Sequence, residues 1–85
     1  MVIPVAKGQM QTIKIKLNTP EDVKKFVSVV SKYPFDMDLR CGRFIVDAKS
    51  ILGIFSLDRS NFIFLDIYSN DAKQLLKQLK EFVQI

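Results

Sequence analysis

The hydroxyl group of Ser50 is the clearest candidate for chemistry in this chain, because it directly precedes a short apolar run, ILGIFSL. A serine before a helix can cap it, since its side-chain oxygen accepts a hydrogen bond from an unpaired backbone N–H group of the first turn. The same hydroxyl can be a kinase substrate, and a phosphate would place about −1.5 to −2 charges at the positive end of the helix. The residues by themselves leave both interpretations open.

The composition excludes most other chemistry. The chain has no histidine and a single cysteine, Cys41. A Ser–His or Cys–His pair is therefore impossible, and only scattered carboxylates remain as metal ligands. No glycine-rich phosphate loop occurs. We therefore expect no enzyme, no metal and no cofactor, and we expect Cys41 to lie in the core as a free thiol, as fits a reducing cytoplasm.

Length and charge are typical of one small domain. With 85 residues, of which 48% are hydrophobic, the chain can form a single core. No apolar run approaches the ~20 residues of a membrane span, and the opening MVIPVAKGQ lacks the features of a signal peptide. We expect residues 1–9 to be an N-terminal extension and residues 10–85 to form the domain. The net charge of +4 is scattered along the chain, which favours a solvated cytoplasmic protein over a nucleic-acid-binding surface.

Four strands are predicted from alternating apolar and polar residues. In the first of them, QTIKIKL, the apolar side chains share one side and the polar ones the other. A hairpin turn is expected around Gly42, between the second and third strands. The four predicted strands cover residues 11–17, 35–41, 43–48 and 62–68.

Three helices are predicted from helical spacing and from capping residues. The first begins with Thr19 as N-cap and Pro20 at the first helical position, and it covers residues 20–32. A short helix follows Ser50. The last is an amphipathic helix whose apolar stripe extends from Ala72 to Val83.

The resulting order, β-α-β-β-α-β-α, predicts an α+β fold. Strands with one apolar face and helices with one apolar stripe must stack on one side of an antiparallel sheet. We therefore predict an open-faced β-sandwich with a four-stranded antiparallel sheet and three helices on one face. The other face of the sheet is expected to be uncovered.

The element order and the stretch SKYPFDMDLRCGRFIVDAKSILGIFSL resemble the HPr family, the phosphocarrier proteins of the bacterial sugar phosphotransferase system. The similarity covers residues 11–85. Its most specific part, KSILGIFSL, is similar to the regulatory-serine helix of HPr and of its catabolite-repression relative, Crh. This resemblance implies an HPr-like fold, regulatory phosphorylation of Ser50, and an apolar surface of Ile51, Leu52 and Phe55 that docks on a protein partner.

The phosphocarrier motif of the family is altered in this chain. In the family, Gly-[Ile/Leu]-His-Ala-Arg-Pro opens the first helix and the histidine carries the phosphoryl group. The aligned residues here are LNTPED, so that Thr19 takes the place of the histidine and Glu21 that of the arginine. An imidazole holds phosphate as a labile phosphoramidate, whereas a threonine would form a stable ester. Glu21 and Asp22 would also repel phosphate from a helix N-terminus that otherwise attracts it. We therefore expect Thr19 to be a structural cap and the chain to be a divergent, Crh-like member that has lost the carrier role.

Two phenylalanines, Phe62 and Phe64, are expected on the uncovered face of the sheet, because they alternate with the inward residues of the fourth strand. Two such side chains would form an apolar patch larger than most monomers expose. Three explanations remain open. The N-terminal segment MVIPVA folds over the patch, a second copy of the chain pairs with it, or neighbouring side chains shield it.

The leading functional hypothesis is a non-catalytic, HPr-like regulatory or adaptor protein. It would bind a protein partner through residues 50–55, and phosphorylation of Ser50 would modulate that binding. An HPr kinase/phosphorylase or a transcriptional regulator is the expected partner, and a homodimer is the further possibility; no membrane and no nucleic acid is expected.

Two other functions are considered. A small domain of this element order could bind RNA or a small ligand on the open sheet face, where exposed aromatic side chains could stack bases. Against it, RFIVDAK matches the aromatic-rich recognition strand poorly and no basic groove is evident. An ordinary phosphocarrier is the third possibility, which the absent histidine opposes.

Overall fold

The structure is a computed structural model that describes residues 10–60 and 62–84. The predicted extension, residues 1–9, lies outside the described residues. The predicted elements occur in the predicted order, and a 3-10 turn follows the last helix. Their bounds are β1 Met10–Ile15, α1 Pro20–Val30, β2 Met37–Cys41, β3 Phe44–Asp47, α2 Ile51–Phe55, β4 Ile63–Tyr68, α3 Lys73–Gln78 and the 3-10 turn Lys80–Phe82.

The strands form one antiparallel sheet in the order β1-β4-β2-β3, with three helices against it. This confirms the predicted α+β class and the predicted open-faced sandwich. The hairpin between β2 and β3 turns at Gly42, whose φ of 60° is a left-handed conformation that favours glycine. Cys41 is buried, as predicted, and its thiol donates to the carbonyl of Asp58 at 3.4 Å.

The core lies between the sheet and the helices. Its fully buried side chains come from the three helices, which each turn one stripe inward, from β1, β2 and β4, which turn alternate residues inward, and from the segments that connect them. β3 contributes none, and Ala48 directly after it is buried. The largest fully buried side chains are Phe26, Ile15, Leu17, Met37, Leu39, Ile54, Ile63, Leu65, Ile67, Leu75, Leu79 and Val23.

The prediction of one continuous final helix up to Val83 is wrong. α3 ends at Gln78, and after the 3-10 turn Val83 is extended and forms a bridge with Ile15 of β1. The reason is the edge of β1, whose backbone groups need partners. The N–H of Gln84 donates to the carbonyl of Lys14 at 2.8 Å, and the N–H of Lys16 donates to the carbonyl of Phe82 at 2.9 Å. The end of the described chain therefore covers part of one sheet edge.

The open face of the sheet is organised around Asp66, which is only 3% exposed. Its carboxylate accepts hydrogen bonds from Nε and Nη2 of Arg40 at 2.5 and 3.0 Å, and from the hydroxyl of Thr12 at 2.7 Å. Burial raises the pKa of Asp66, but the hydrogen bonds from Arg40 and Thr12 and the charge of Arg40 outweigh burial, so the pKa lies below its ordinary value. β1, β2 and β4 are thus joined on this face by one bidentate ion pair and a hydroxyl.

The described residues contain no helix of the length and apolarity that a membrane crossing requires.

The Arg40–Asp66 pair gives the first prediction. Arg40→Met should lower the free energy of unfolding by about 3 kcal/mol at neutral pH, because it leaves a buried carboxylate without its counter-charge. Since the folded-state pKa of Asp66 is depressed, the pair stabilises the fold above the unfolded carboxyl pKa of about 4, and this contribution is lost as the pH falls through the folded-state pKa. The difference between wild type and Arg40→Met should therefore be largest at neutral pH and shrink as the pH falls towards and below about 4. Urea denaturation at a series of pH values measures it.

Arg43→Met is the matched control, because Arg43 is exposed and forms no ion pair with the described residues. Its free energy of unfolding should stay within about 0.5 kcal/mol of the wild type. Equal losses in the two variants, or a loss in Arg40→Met that does not depend on pH, would contradict this account of Asp66.

Candidate functional site

Ser50 is the N-cap of α2, as one of the two interpretations predicted. Its backbone is extended, with φ −99° and ψ 108°, and its hydroxyl oxygen accepts a hydrogen bond from the N–H of Gly53 at 3.1 Å. Its carbonyl accepts from the N–H of Ile54 at 3.0 Å, which closes the first turn. Ser50 is half-buried, so the side chain remains partly accessible from solvent. Phosphorylation of Ser50 stays a prediction.

Gly53 determines how close α2 lies to β3. A Cβ atom at this position would be 3.2 Å from the Ser50 hydroxyl oxygen and 3.2 Å from Cβ of Val46. These distances are tighter than ordinary van der Waals contact, so any larger residue would push the helix away from the sheet or disturb the cap. The glycine therefore allows α2 to rest directly on Val46.

The apolar residues of α2 divide between the core and the surface. Ile54 is fully buried, Ile51 is half-buried, Phe55 is 38% exposed and Leu52 is 80% exposed. We call Ile51, Leu52 and Phe55 the docking surface. The structure places these three residues outside the fully buried core and in the same short helix that Ser50 caps, but the docking itself stays a prediction.

Arg59 belongs to the same region and was missed by the sequence reasoning. Its guanidinium carbon lies 5.0 Å from the centre of the Phe55 ring, within the range of a cation–π contact. Its Nε and Nη1 atoms are buried and have no hydrogen-bond partner among the described residues. No sequence signal pointed to this contact, because Arg59 follows the end of α2 and the intervening turn decides where it lies. Arg59 holds one face of Phe55 and leaves a positive charge beside the docking surface.

The backbone N–H groups at the start of α1 are hydrogen-bonded by side chains of the same segment. The hydroxyl of Thr19 accepts a hydrogen bond from the N–H of Asp22 at 3.1 Å, and the Asp22 carboxylate accepts from the N–H groups of Thr19 and Asn18 at 3.2 and 3.0 Å. This is a reciprocal capping box. Thr19 is therefore the structural cap that was predicted. The carboxylate of Asp22 thus binds the N–H groups of Asn18 and Thr19 and places a negative charge at the helix end that would otherwise attract a phosphate.

Phe62 and Phe64 are 48% and 39% exposed, and both have cationic side chains above their rings. Lys14 Nζ is 4.5 Å from the centre of the Phe62 ring, and the guanidinium carbon of Arg40 is 5.3 Å from that of Phe64. These contacts favour shielding by neighbouring side chains. The segment MVIPVA, proposed as a cover, lies outside the described residues, and pairing with a second copy stays a prediction.

The alternative of RNA binding on this face also stays a prediction, but the geometry does not favour it. Arg40 is committed to the buried carboxylate of Asp66, and a base stacking on Phe62 would have to displace Lys14. Within the described ranges, no three histidine, cysteine or acidic side chains come together as a metal site.

Solved structures of HPr proteins are similar to this chain, among them the following two. The crystal structure of HPr-C-His from Thermoanaerobacter tengcongensis is 31% identical with a TM-score of 0.67, and the match covers 85% of this chain and 86% of that one. The crystal structure of a phosphocarrier protein HPr from Bacillus anthracis str. Ames is 25% identical with a TM-score of 0.67, over 88% of this chain and 98% of that one. No protein-family model and no curated protein matches the chain.

The cap of α2 gives the second prediction. Ser50→Ala should lower the free energy of unfolding by about 1 kcal/mol, because the N–H of Gly53 loses its acceptor. Ser50→Asp should retain most of the stability, since a carboxylate is an equally good N-cap. Thermal or urea denaturation of the purified variants measures both changes.

Ser28→Ala, an exposed serine within α1, is the control and should cause no loss of stability. If Ser50→Ala were as stable as the wild type, the hydroxyl of Ser50 would not be needed as a cap, and a modification site would become its simplest explanation.

Proposed function

Because this chain belongs to the HPr family, we propose that it is a regulatory or adaptor protein related to the phosphotransferase system, which binds a protein partner and passes no phosphoryl group onward. The partner would contact the docking surface of α2. Phosphorylation of Ser50 would change the strength of that contact.

The observation that carries the proposal is the exposure of α2. Leu52 is 80% exposed, although a leucine side chain gains about 1.5–3 kcal/mol when it is buried. The fold does not require this residue, since Ile54 is the residue of α2 that reaches the core. Leu52 and Phe55 are large apolar side chains outside the buried core, and such exposed side chains are typical of an interaction site, in which a few anchors contribute most of the binding energy.

The chemistry of a phosphoserine fits a modulating role. The phosphate would add about −1.5 to −2 charges to the cap of a helix that has no acidic residue in its first turn. α2 has only five residues, so its dipole is small and the effect on folding should be slight. The charge would instead act on whatever lies against the docking surface, attracting a partner with basic residues and repelling one with acidic residues.

Two features support the loss of the carrier role. The chain has no histidine, so it cannot form the phosphoramidate that a relay requires. At the start of α1, where the resemblance aligns the family histidine with Thr19, the capping box uses the N–H groups of Asn18, Thr19 and Asp22, and the Asp22 carboxylate adds negative charge. An incoming phosphate would find no imidazole to carry it and would be repelled by this carboxylate.

The third prediction tests phosphorylation. With ATP and the HPr kinase/phosphorylase of the same organism, the protein should take up one phosphate, which mass spectrometry should locate at Ser50. Ser50→Asp keeps the cap but removes the hydroxyl, and it should take up none. Leu52→Ser should lower the rate at limiting substrate by about tenfold, because it removes the most exposed apolar anchor of the docking surface.

Met10→Ser is the matched control for the third prediction. It removes a large exposed apolar side chain from β1, at the opposite edge of the sheet from the strand on which α2 rests. Its phosphorylation rate should equal that of the wild type. Absence of phosphate at Ser50 under conditions that phosphorylate authentic HPr would overturn the regulatory part of the proposal, and equal losses in Leu52→Ser and Met10→Ser would overturn the docking surface.

The fourth prediction tests the carrier role. Incubated with phosphorylated enzyme I, the wild-type protein should acquire no acid-labile phosphate, whereas authentic HPr in the same reaction should. Labile phosphate on this chain, followed by its delivery to a sugar permease, would show that the chain is a phosphocarrier and would refute the proposal.

A further inference from the structure

β3 is the uncovered edge of the described sheet. β1, at the other edge, is partly paired with Val83 and Gln84, whereas no described segment pairs with the outer side of β3. Two large apolar residues of this strand are strongly exposed, Phe44 at 65% and Ile45 at 62%. An exposed edge strand with apolar side chains is a template for pairing with another strand.

The hydrogen-bond pattern shows which backbone groups of β3 are directed outward. Ala48 donates its N–H to the carbonyl of Met37 of β2 at 3.0 Å, and Cys41 and Phe44 are paired in the same register. Backbone groups alternate in direction along an antiparallel strand. Phe44, Val46 and Ala48 therefore turn their N–H and C=O groups to β2, and Ile45 turns both of its groups to the free edge.

We propose that β3 pairs with β3 of a second copy of this chain, antiparallel and about a two-fold axis through Ile45. The two sheets would then continue into one another. Ile45 would exchange both of its outward hydrogen bonds with Ile45 of the second copy, as the two residues of a hydrogen-bonded antiparallel pair do. A two-fold axis requires that the same surface on both copies be complementary to itself.

The sequence of β3 together with the turn residue directly before it, RFIVD, meets this requirement. In an antiparallel pair centred on Ile45, Asp47 would lie across from Arg43 of the second copy, the turn residue that precedes its β3, and the same contact would repeat at the other end of the pair. Phe44 lies opposite Val46 in the same way on the helix side. Opposite-charge pairs and apolar pairs across strands are both favourable. A shift of the register would instead place charged side chains opposite apolar ones.

The charges at the two ends of β3 are available for this contact. Arg43 and Asp47 are exposed, and neither forms an ion pair with the described residues. One carboxylate oxygen of Asp47 accepts from the N–H of Lys49 at 2.9 Å, and the other has no hydrogen-bond partner among the described residues. Charged side chains generally protect an edge strand against pairing, and like charges placed opposite one another repel. Asp47 of β3 and Arg43 in the turn before it carry opposite signs, so a second copy is attracted, and this favours self-association over an unrelated strand.

The size of the contact indicates a weak dimer. Only five residues of each copy face one another, so the contact buries less surface area than stable protein interfaces do. The dimer should therefore form with rising protein concentration and dissociate on dilution.

Sedimentation equilibrium of the full chain from micromolar to millimolar concentration tests the proposal. The wild type should change from monomer to dimer over this range. Arg43→Glu and Asp47→Lys each place like charges opposite one another at both ends of the pair, and each should raise the dimer dissociation constant about tenfold. The double variant Arg43→Glu/Asp47→Lys restores opposite charges and should restore the wild-type constant.

Ile45→Pro is a second, independent variant. It removes the N–H that faces the free edge and leaves the bonds between β2 and β3, so circular dichroism should show a folded protein that stays monomeric. Phe64→Ser, on the open face of the central strand β4, is the control and should dimerise as the wild type does.

A protein that remains monomeric at every concentration would overturn the proposal, and so would a dimer that the edge variants leave unchanged. Loss of such a dimer in Phe64→Ser would assign it to the open sheet face instead. If Ile45→Pro does not fold, the double variant Arg43→Glu/Asp47→Lys tests the proposal by itself. A dissociation constant that the double variant does not restore to the wild-type value would equally overturn the pairing.

Discussion

The shortness of α2 is the constraint on which the rest of the site depends. A helix of five residues completes little more than one turn, so only a narrow part of it can face the sheet. Ile54 takes that place, and Gly53 allows the backbone to lie directly on Val46. The other large apolar residues of the helix must then lie nearer the surface. The docking surface is a consequence of this geometry and needs no additional strain in the fold.

The two helix caps show how one kind of interaction can have different chemical consequences. At α1, Thr19 and Asp22 satisfy each other, so the N-terminus is closed by a side chain of its own sequence. At α2, the hydroxyl of Ser50 accepts one hydrogen bond and no acidic side chain stands in the first turn. Added negative charge is therefore opposed at the first site and tolerated at the second. The difference follows from which residues stand three positions after each cap, Asp22 in one case and Gly53 in the other.

The sheet uses its charges differently at its centre and at its edge. In the centre, Arg40 and Asp66 lie on adjacent strands and satisfy one another. At the edge, Asp47 of β3 and Arg43 in the turn before it find no ionic partner among the described residues. An arginine and an aspartate thus stabilise the domain at the centre of the sheet. At the edge, the same two residue types leave a surface that is complementary to itself.

Periods and caps are local properties, and for this reason the sequence by itself determined the order of the elements, the fold class, the cap residue Thr19 and the inward side of β1, β2 and β4. For Ser50 it offered a cap as one of two interpretations. The absence of histidine likewise determined the chemistry that the chain lacks. Contacts between distant segments depend on which strands become neighbours, and only the tertiary structure decided those. Arg40 meets Asp66, 26 residues away, because β2 and β4 are adjacent in the sheet. Residues 83–84 are extended and not helical because they pair with backbone groups at the edge of β1. The local pattern of apolar residues does not predict this pairing, since it depends on a distant strand.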